Sequence, residues 1–193
     1  PTLFTSSTEK SVKFQRMNKK SRSTITCSLL LANEMPLYAF GDLNNDGKED
    51  LVMLPRESYG GSYRAELVGF NADGSVLERA QINLSFQQKP MRLFVCDCNG
   101  DGLKDILVFY STGYTIYWNQ GGRSIGTQTI LATKYTTGTN VAYCYKMEPG
   151  DFNGDGAIDF LLGTTQSNQW YFAFNNGNGT FNKQLACTLD IFD

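Results

Sequence analysis

Apolar residues in this chain occur in short runs separated by turns rich in Gly, Asn and Asp. Three such runs, 50–54, 105–109 and 159–163, begin with Asp and continue with apolar residues only or nearly so. Runs of this length without a 3.6-residue period are typical of β-strands. No segment combines helical periodicity with helix-capping residues. The pattern therefore predicts an all-β protein.

Three consecutive segments of the chain each read as four strands, which we name A to D in chain order. The predicted strands are 37–41, 51–54, 64–70 and 76–84; then 92–96, 106–110, 114–118 and 125–131; then 142–147, 160–163, 170–174 and 181–187. Strands 11–17 and 24–31 precede them, on either side of a basic turn at 18–22. The N-terminal pair is expected to be a hairpin.

A turn pattern also repeats between strands C and D of each segment. An aromatic residue is followed by Asn and then by a turn containing Gly, at 70–74, 118–121 and 174–177. Asn and Gly tolerate positive φ, which tight hairpin turns require. We therefore expect hairpins in which the Asn and the Gly supply the turn conformation.

The strongest motif is Asp-x-Asn-x-Asp-Gly-x-x-Asp, which occurs three times between strands A and B. Its copies start at residues 42, 97 and 151, with periods of 55 and 54. Positions 1, 3, 5 and 9 offer side-chain oxygens, and position 7 needs only a backbone carbonyl, which suits the flexible oxygen shell of Ca²⁺ better than the tight octahedron of Mg²⁺. Gly at position 6 allows a sharp turn. The predicted ligands of three Ca²⁺ sites are Asp42, Asn44, Asp46, Lys48 and Asp50; Asp97, Asn99, Asp101, Leu103 and Asp105; and Asp151, Asn153, Asp155, Ala157 and Asp159.

Other interpretations of the loops are weaker. An EF-hand loop needs Glu at position 12, where this chain has Met53, Val108 and Leu162. The pattern contains no Cys or His ligands for zinc or copper. The remaining alternative is a set of solvated Asp/Asn/Gly turns, but a plain turn does not require carboxylates to cluster.

Four antiparallel strands in every ~50 residues are typical of a β-propeller blade. The chain resembles FG-GAP/VCBS repeats of integrin-α-like β-propellers over roughly residues 36–188. The stretch 150–159 and the pair Gly41-Asp42 match the pattern of those repeats. It is also similar to the propeller segments of bacterial secreted Rhs/YD-repeat and SpvB/TcB-type toxin proteins. Cys96 replaces the leading Gly in the second copy. The resemblance implies calcium loops between strands A and B and a role in adhesion, in binding a protein or glycan, or in a toxin assembly.

The predicted fold is a partial β-propeller of three four-stranded antiparallel blades. Blades 36–89, 90–140 and 141–193 follow an N-terminal hairpin of a preceding blade, 1–35, in one structural domain. Three blades and part of another cannot close a ring of ordinary curvature. We therefore expect either a piece of a larger propeller or closure by self-association.

Composition narrows the function. The net charge of −2 favours neither a nucleic-acid partner nor a membrane surface, and no apolar run approaches the length of a membrane-spanning helix. The chain has no His, which removes Ser-His and Cys-His nucleophiles. The cysteines read as small buried hydrophobes. Cys96 and Cys98 are expected to point to opposite sides and not to pair with each other.

The function predicted from sequence is a calcium-binding, non-catalytic scaffold for a protein or glycan partner. Weak calcium sites of such modules suit calcium levels outside the cell, so the expected location is secreted or cell-surface. One alternative is a lectin using exposed aromatics, although core packing explains these residues better. The candidates are Tyr59, Tyr63, Tyr114, Tyr117, Trp118, Trp170 and Tyr171. Another alternative is an accessory domain of a calcium-dependent polysaccharide-degrading enzyme or toxin, for which the chain offers no separate catalytic constellation.

Overall fold

The structure is a computed structural model of the 193-residue chain. It describes residues 2–5, 12–18, 21–27, 36–54, 61–72, 75–86, 88–121, 131–138, 144–164 and 168–188. All regular elements in these ranges are β-strands.

The strands form four antiparallel sheets, each with its strands in chain order. The N-terminal sheet contains β1 (Thr2–Thr5), β2 (Val12–Asn18) and β3 (Ser21–Cys27). Sheet 1 contains β4 (Leu37–Gly41), β5 (Asp50–Leu54), β6 (Gly61–Phe70) and β7 (Val76–Phe86). Sheet 2 contains β8 (Arg92–Cys96), β9 (Asp105–Tyr110), β10 (Gly113–Asn119) and β11 (Leu131–Gly138). Sheet 3 contains β12 (Cys144–Gly150), β13 (Asp159–Thr164), β14 (Gln169–Asn175) and β15 (Phe181–Thr188).

The predicted fold class is confirmed. Sheets 1 to 3 are the three four-stranded antiparallel meanders expected of propeller blades, and the chain is a partial β-propeller. The N-terminal hairpin is present as β2 and β3, and β1 adds a third strand on its edge that the sequence analysis did not predict.

Strand D of the second blade was predicted wrongly. The expected strand 125–131 overlaps the observed β11 (Leu131–Gly138) at one residue only. The prediction followed the apolar residues near Ile125, but β11 is a Thr-rich strand that pairs with β10 through Tyr117 and Tyr135, with a register shift before Asn119. Residues 125–130 lie outside the described part of the chain. The pairing with β10 that defines strand D joins residues distant in sequence, so the hydrophobicity of one run does not predict it.

The chain divides into two compact units. Unit 1 comprises Pro1–Lys89 with Gly121–Ile130, and unit 2 comprises Pro90–Gln120 with Leu131–Asp193. In unit 1, all five residues of β5 are buried, and the Arg79 guanidinium lies 3.1 Å from the Glu66 carboxylate on the neighbouring strand. The blade and domain boundaries given above stay predictions.

The core of unit 2 lies between sheets 2 and 3. Phe160 on β13 is fully buried, with ring centroids 5.0 Å from Phe94, 5.2 Å from Phe109 and 5.7 Å from Phe181. Aromatic pairs at such separations add to the free energy of apolar burial. The buried members of this cluster are Cys96, Cys98, Leu107, Phe109, Tyr114, Ile116, Trp118, Met147, Phe160, Leu162, Ala173 and Phe181.

Gly179 is a tight contact point between the two sheets of unit 2. Its carbonyl accepts a 2.9 Å hydrogen bond from the Tyr114 hydroxyl, 65 residues earlier in the chain. Its φ is +82°, and a Cβ at this position would lie 2.5 Å from the Trp118 ring. Only a residue without a side chain fits beneath that indole.

We expect Gly179→Ala to lower the free energy of unfolding by several kcal/mol. Left-handed backbone strain contributes about 1–2 kcal/mol, and overpacking against Trp118 adds about 1–3 kcal/mol. Gly177→Ala is the matched control, because Gly177 has φ +70° but its added Cβ would come no closer than 4.0 Å to the Asn99 carbonyl oxygen. Urea unfolding should show a clearly larger loss for Gly179→Ala. Equal losses would mean that the contact with Trp118 is unimportant.

Candidate metal centres

Each acidic loop joins strands A and B of one blade. The loops follow β4, β8 and β12, and position 9 of each is the first residue of β5, β9 or β13. The glycine at position 6 has positive φ in every copy, as the sequence predicts; the values are +81° for Gly47, +84° for Gly102 and +87° for Gly156. The three loops therefore share one backbone path at this turn.

The aspartate at position 1 organises the N-terminal half of each loop. Its Oδ2 accepts a hydrogen bond from the N–H of the position-6 glycine. The distances are 2.8 Å for Asp42 and Gly47, 2.8 Å for Asp97 and Gly102, and 3.0 Å for Asp151 and Gly156. The other oxygen, Oδ1, accepts from the N–H of position 4 or 5. The loop is thus wrapped around a single carboxylate.

The side chains of positions 1, 3 and 5 meet in this turn, as loop 3 illustrates. The Asp155 N–H donates to Asp151 Oδ1 at 3.1 Å and to Asn153 Oδ1 at 2.9 Å. Asn153 Nδ2 donates to Asp155 Oδ2 at 2.8 Å. The same amide-to-carboxylate bond joins Asn99 and Asp101 in loop 2. Three of the predicted ligand side chains therefore lie together in the turn.

Position 7 contributes its backbone to the same turn. Its N–H donates to Oδ1 of the position-5 aspartate in all copies. The bonds are Lys48 to Asp46 at 2.9 Å, Leu103 to Asp101 at 2.8 Å, and Ala157 to Asp155 at 2.8 Å. In loop 1 the Lys48 ammonium also lies 2.8 Å from Asp46, and this hydrogen bond lowers the pKa of the Asp46 carboxyl.

The aspartate at position 9 is the most deeply buried of the predicted ligands in each loop. In sheet 2, Asp105 Oδ2 accepts from the Cys98 N–H at 2.9 Å and Oδ1 accepts from the Asn119 N–H at 2.8 Å. Asp159 repeats this arrangement in sheet 3. Its partners are the N–H groups of Phe152, at 3.0 Å, and Asn175, at 2.9 Å. The carboxylate therefore joins the acidic loop to the end of strand C.

Burial disfavours the charged form of these inner carboxylates. It raises the pKa of Asp50 to about 6, where the N–H of Leu43 opposes the shift and the charges of Asp46 and Asp42 add to it. It also raises the pKa of Asp105 to about 6, against the hydrogen bonds from Asn119 and Cys98 and with the repulsion of Asp101 and Asp97. A cation in the loop would favour the ionised form instead.

The repeated asparagine after strand C has a role that the sequence analysis missed. Asn119 and Asn175 are buried, end β10 and β14, and donate their N–H to the position-9 aspartate. We expected this Asn to supply positive φ, but among the described residues only Asn45 does so apart from glycines. In sheet 1, the Asn71 N–H donates to the Ser75 carbonyl at 2.8 Å instead. The sequence signal was the Asn that follows an aromatic residue at the end of strand C in every copy.

The expectation that Cys96 and Cys98 point to opposite sides is wrong. Their Sγ atoms lie 3.5 Å apart and both side chains are buried. Residues two apart on an extended strand share a face, so both thiols lie on one side of the backbone. The hydrogen bond with Cys96, together with burial, raises the pKa of the Cys98 thiol. Both cysteines are free thiols, as small buried hydrophobes would be.

Most of the aromatic residues considered for sugar binding are unsuited to it. Tyr114, Tyr117 and Trp118 are buried in unit 2. Trp170 and Tyr171 are partly buried, and the Lys183 ammonium lies 4.2 Å from the centre of the Tyr171 ring. The side chains of Tyr59 and Tyr63 lie outside the described residues.

The donor chemistry of the loops fits a hard divalent cation, because the side chains of positions 1, 3, 5 and 9 all offer oxygen. Positions 1, 3 and 5 converge, whereas the position-9 carboxylate is engaged by two backbone N–H groups. Within the described ranges, no three Asp, Glu, Cys or His side chains already converge on one metal-binding point. A cation would be held by the oxygens of positions 1, 3 and 5, by the backbone carbonyl of position 7, and by the carboxylate of position 9.

Comparison with protein families identifies the repeat. The FG-GAP-like repeat matches residues 42–108 and again residues 97–162, which together cover more than half of the chain. The chain belongs to the FG-GAP-like repeat family. Repeats of this family are typically extracellular, non-catalytic scaffolds. A search of curated proteins finds no match. None of the described segments forms a helix long and apolar enough to cross a membrane.

The roles of positions 9 and 5 can be separated by mutation in excess chelator. We expect Asp105→Ala to reduce the free energy of unfolding by about 2–4 kcal/mol, because it leaves two buried N–H groups without their acceptor. Asp101→Ala removes an exposed carboxylate and should change the free energy of unfolding by only about 0.5 kcal/mol. Urea unfolding of both variants, each compared with the parent chain, measures the difference. Similar losses would contradict a structural role for position 9.

Proposed function

We propose that this protein is a calcium-stabilised, non-catalytic β-propeller scaffold that presents its surface to a protein or glycan partner outside the cell. The observation that carries the proposal is the common turn of the three loops. In each copy, carboxylate and amide oxygens from positions 1, 3 and 5 lie in a turn closed by the same glycine. Such clustered oxygens are the donors that Ca²⁺ prefers.

Calcium would act on stability by joining strands that are already neighbours. Positions 1 to 7 follow strand A, and position 9 begins strand B, so one ion held by both ends of the loop cross-links a hairpin. Calcium that binds only the folded chain stabilises it by about 2.7 kcal/mol per site at 100 times Kd. The ion would also favour the ionised form of the carboxylates that burial and mutual repulsion disfavour.

We infer that the protein lies outside the cell from the calcium affinity expected of its loops. Extracellular calcium-binding modules have Kd values of about 10⁻⁴–10⁻³ M. Calcium reaches such concentrations outside cells, so the sites would be filled there. Family membership supports the same location, because FG-GAP-like repeats are typically extracellular.

The decisive experiment is thermal unfolding in excess chelator, in millimolar Ca²⁺ and in millimolar Mg²⁺. We expect Ca²⁺ to raise Tm by several degrees, since about 1 kcal/mol corresponds to roughly 2–4 °C for a chain of this size. Mg²⁺ should have a much smaller effect. Asp42→Ala, Asp97→Ala and Asp151→Ala should each remove part of the rise, and the triple variant should remove all of it. Calorimetric titration of the parent chain should give three sites.

Glu49→Ala is the matched control for these variants. Glu49 is an exposed acidic residue at position 8 of loop 1 and is absent from the ligand pattern. Its removal changes the local charge as Asp42→Ala does but should leave the calcium response intact. If Tm does not respond to calcium in the parent chain, the loops are turns held by hydrogen bonds alone and the proposal fails.

A further inference from the structure

The chain contains four Asn-Gly pairs, and one of them differs from the others in its hydrogen bonds. The pairs are 99–100, 153–154, 176–177 and 178–179, and all four lie in turns that the structure describes. In such a pair the backbone nitrogen of the glycine can approach the side-chain amide carbon of the preceding asparagine, because glycine has no Cβ in the way. Whether the pair reacts depends on what holds these two groups.

Hydrogen bonds engage both reacting groups in three of the four pairs. The glycine N–H donates to a side-chain oxygen in each case: Gly100 to Asp97 at 2.7 Å, Gly154 to Asp151 at 2.7 Å, and Gly177 to Asn175 at 2.9 Å. The asparagine Nδ2 also donates, from Asn99 to Asp101, from Asn153 to Asp155, and from Asn176 to Thr180. These bonds oppose ring closure, because the glycine nitrogen must lose its proton and the asparagine side chain must turn toward it.

The pair Asn178-Gly179 is engaged at the oxygen of the asparagine amide instead. Asn178 Oδ1 accepts from the Thr180 N–H at 3.0 Å and from the Thr180 hydroxyl at 2.6 Å. Within the described ranges, no hydrogen bond engages the Gly179 N–H or the Asn178 Nδ2. Asn178 is exposed at the tip of its turn. Gln120, in the corresponding turn of sheet 2, is exposed as well, although sheet 3 packs against that sheet.

Two donors on one carbonyl oxygen favour attack at its carbon. They stabilise the negative charge that develops on Oδ1 in the tetrahedral intermediate, as the donors of an oxyanion hole do. Hydroxide from the solvent takes the proton of the Gly179 N–H, and a bond forms between that nitrogen and Cγ of Asn178. The bond from Cγ to Nδ2 then breaks, and the amide nitrogen takes a proton from water and leaves as ammonia. Water opens the resulting cyclic imide at either of its carbonyls.

We propose that Asn178 is a site of spontaneous deamidation, at which water replaces the side-chain amide and yields a mixture of aspartate and isoaspartate. The proposal is independent of the calcium function, because the hydrogen bonds that carry it lie in the turn between β14 and β15. The other three pairs react more slowly in the folded protein.

The isoaspartyl product acts on the contact between sheets 2 and 3. In this product residue 178 is joined to Gly179 through its former side chain, so the backbone gains an extra CH₂ group just before that glycine. Gly179 has little room to move, because its carbonyl accepts from the Tyr114 hydroxyl at 2.9 Å and the Trp118 ring lies 2.5 Å from where a Cβ would be. We therefore expect the modified protein to unfold at a lower urea concentration than the fresh protein.

The test is incubation of the full chain in excess chelator, at neutral and at mildly alkaline pH, followed by peptide mapping with tandem mass spectrometry. Deamidation is read from the mass increase on exchange of NH₂ for OH, and isoaspartate from labelling by an isoaspartyl methyltransferase. We expect Asn178 to react at least about fivefold faster than each of the other three asparagines, a ratio that one hydrogen bond of ordinary strength accounts for. The rate should rise with pH, because hydroxide removes the Gly179 proton.

The same incubation in urea separates the effect of the fold from that of the sequence. The hydrogen bonds are lost in the unfolded chain, so the four pairs should then deamidate at similar rates.

Two substitutions of Thr180 test the activation of the carbonyl in the folded protein. Thr180→Val removes the hydroxyl donor and should slow the reaction at Asn178 about fivefold. Thr180→Ser keeps the hydroxyl and should react at the parent rate. Asn176 also loses its hydroxyl partner in Thr180→Val, and the peptide map reads that residue separately.

Asn178→Gln tests the structural consequence, because its cyclisation needs a less favourable six-membered ring. The urea midpoint of the parent chain should fall during incubation, whereas that of Asn178→Gln should stay constant. Equal rates at the four pairs in the folded protein would overturn the proposal, as would equal rates at Asn178 in Thr180→Val and Thr180→Ser. A midpoint that falls equally in the parent chain and in Asn178→Gln would overturn the effect on the contact between the sheets.

Discussion

The buried aspartate that begins strand B is the interaction on which the rest of each blade depends. A carboxylate excluded from water is destabilising unless its oxygens are satisfied. In sheets 2 and 3, Asp105 and Asp159 meet this requirement with backbone N–H groups from two separate segments. One side chain thereby determines where the acidic loop leaves strand A and where strand C must end.

The same carboxylate links the fold to the proposed chemistry. The outer carboxylates of the turn accept hydrogen bonds from N–H groups of their own loop, as Asp97 does from Gly100 and Gly102. These hydrogen bonds hold the oxygens of the turn in place. Pre-organised oxygens lose little conformational entropy on binding. A buried inner aspartate with more exposed outer ones suits a scaffold whose ions reinforce an existing fold.

Much of the fold was predictable because the short apolar runs, the turn residues and the repeated acidic motif all indicate the same strands. Strand A of sheet 2 has the predicted limits, Arg92–Cys96, and strand B of each blade differs from the prediction by one or two terminal residues. The errors arise where distant contacts decide. The extent of β11 depends on pairing with β10, and the proximity of Cys96 and Cys98 was misjudged from the strand pattern itself. The role of Asn119 could not be predicted because its partner, Asp105, is joined to it only through the folded sheet.

The shared core of unit 2 has a consequence for how this part of the chain folds. Phe160 of sheet 3 packs on Phe94 and Phe109 of sheet 2, and Tyr114 of sheet 2 donates its hydroxyl proton to Gly179 of sheet 3. The ring contacts of Phe160 therefore join the two sheets in one core. Their unfolding is consequently coupled into one cooperative transition, unlike repeat arrays whose units unfold one by one. The smallest stretch of this region able to fold independently is then a pair of blades, and a recombination event that separated them would expose both halves of the core at once.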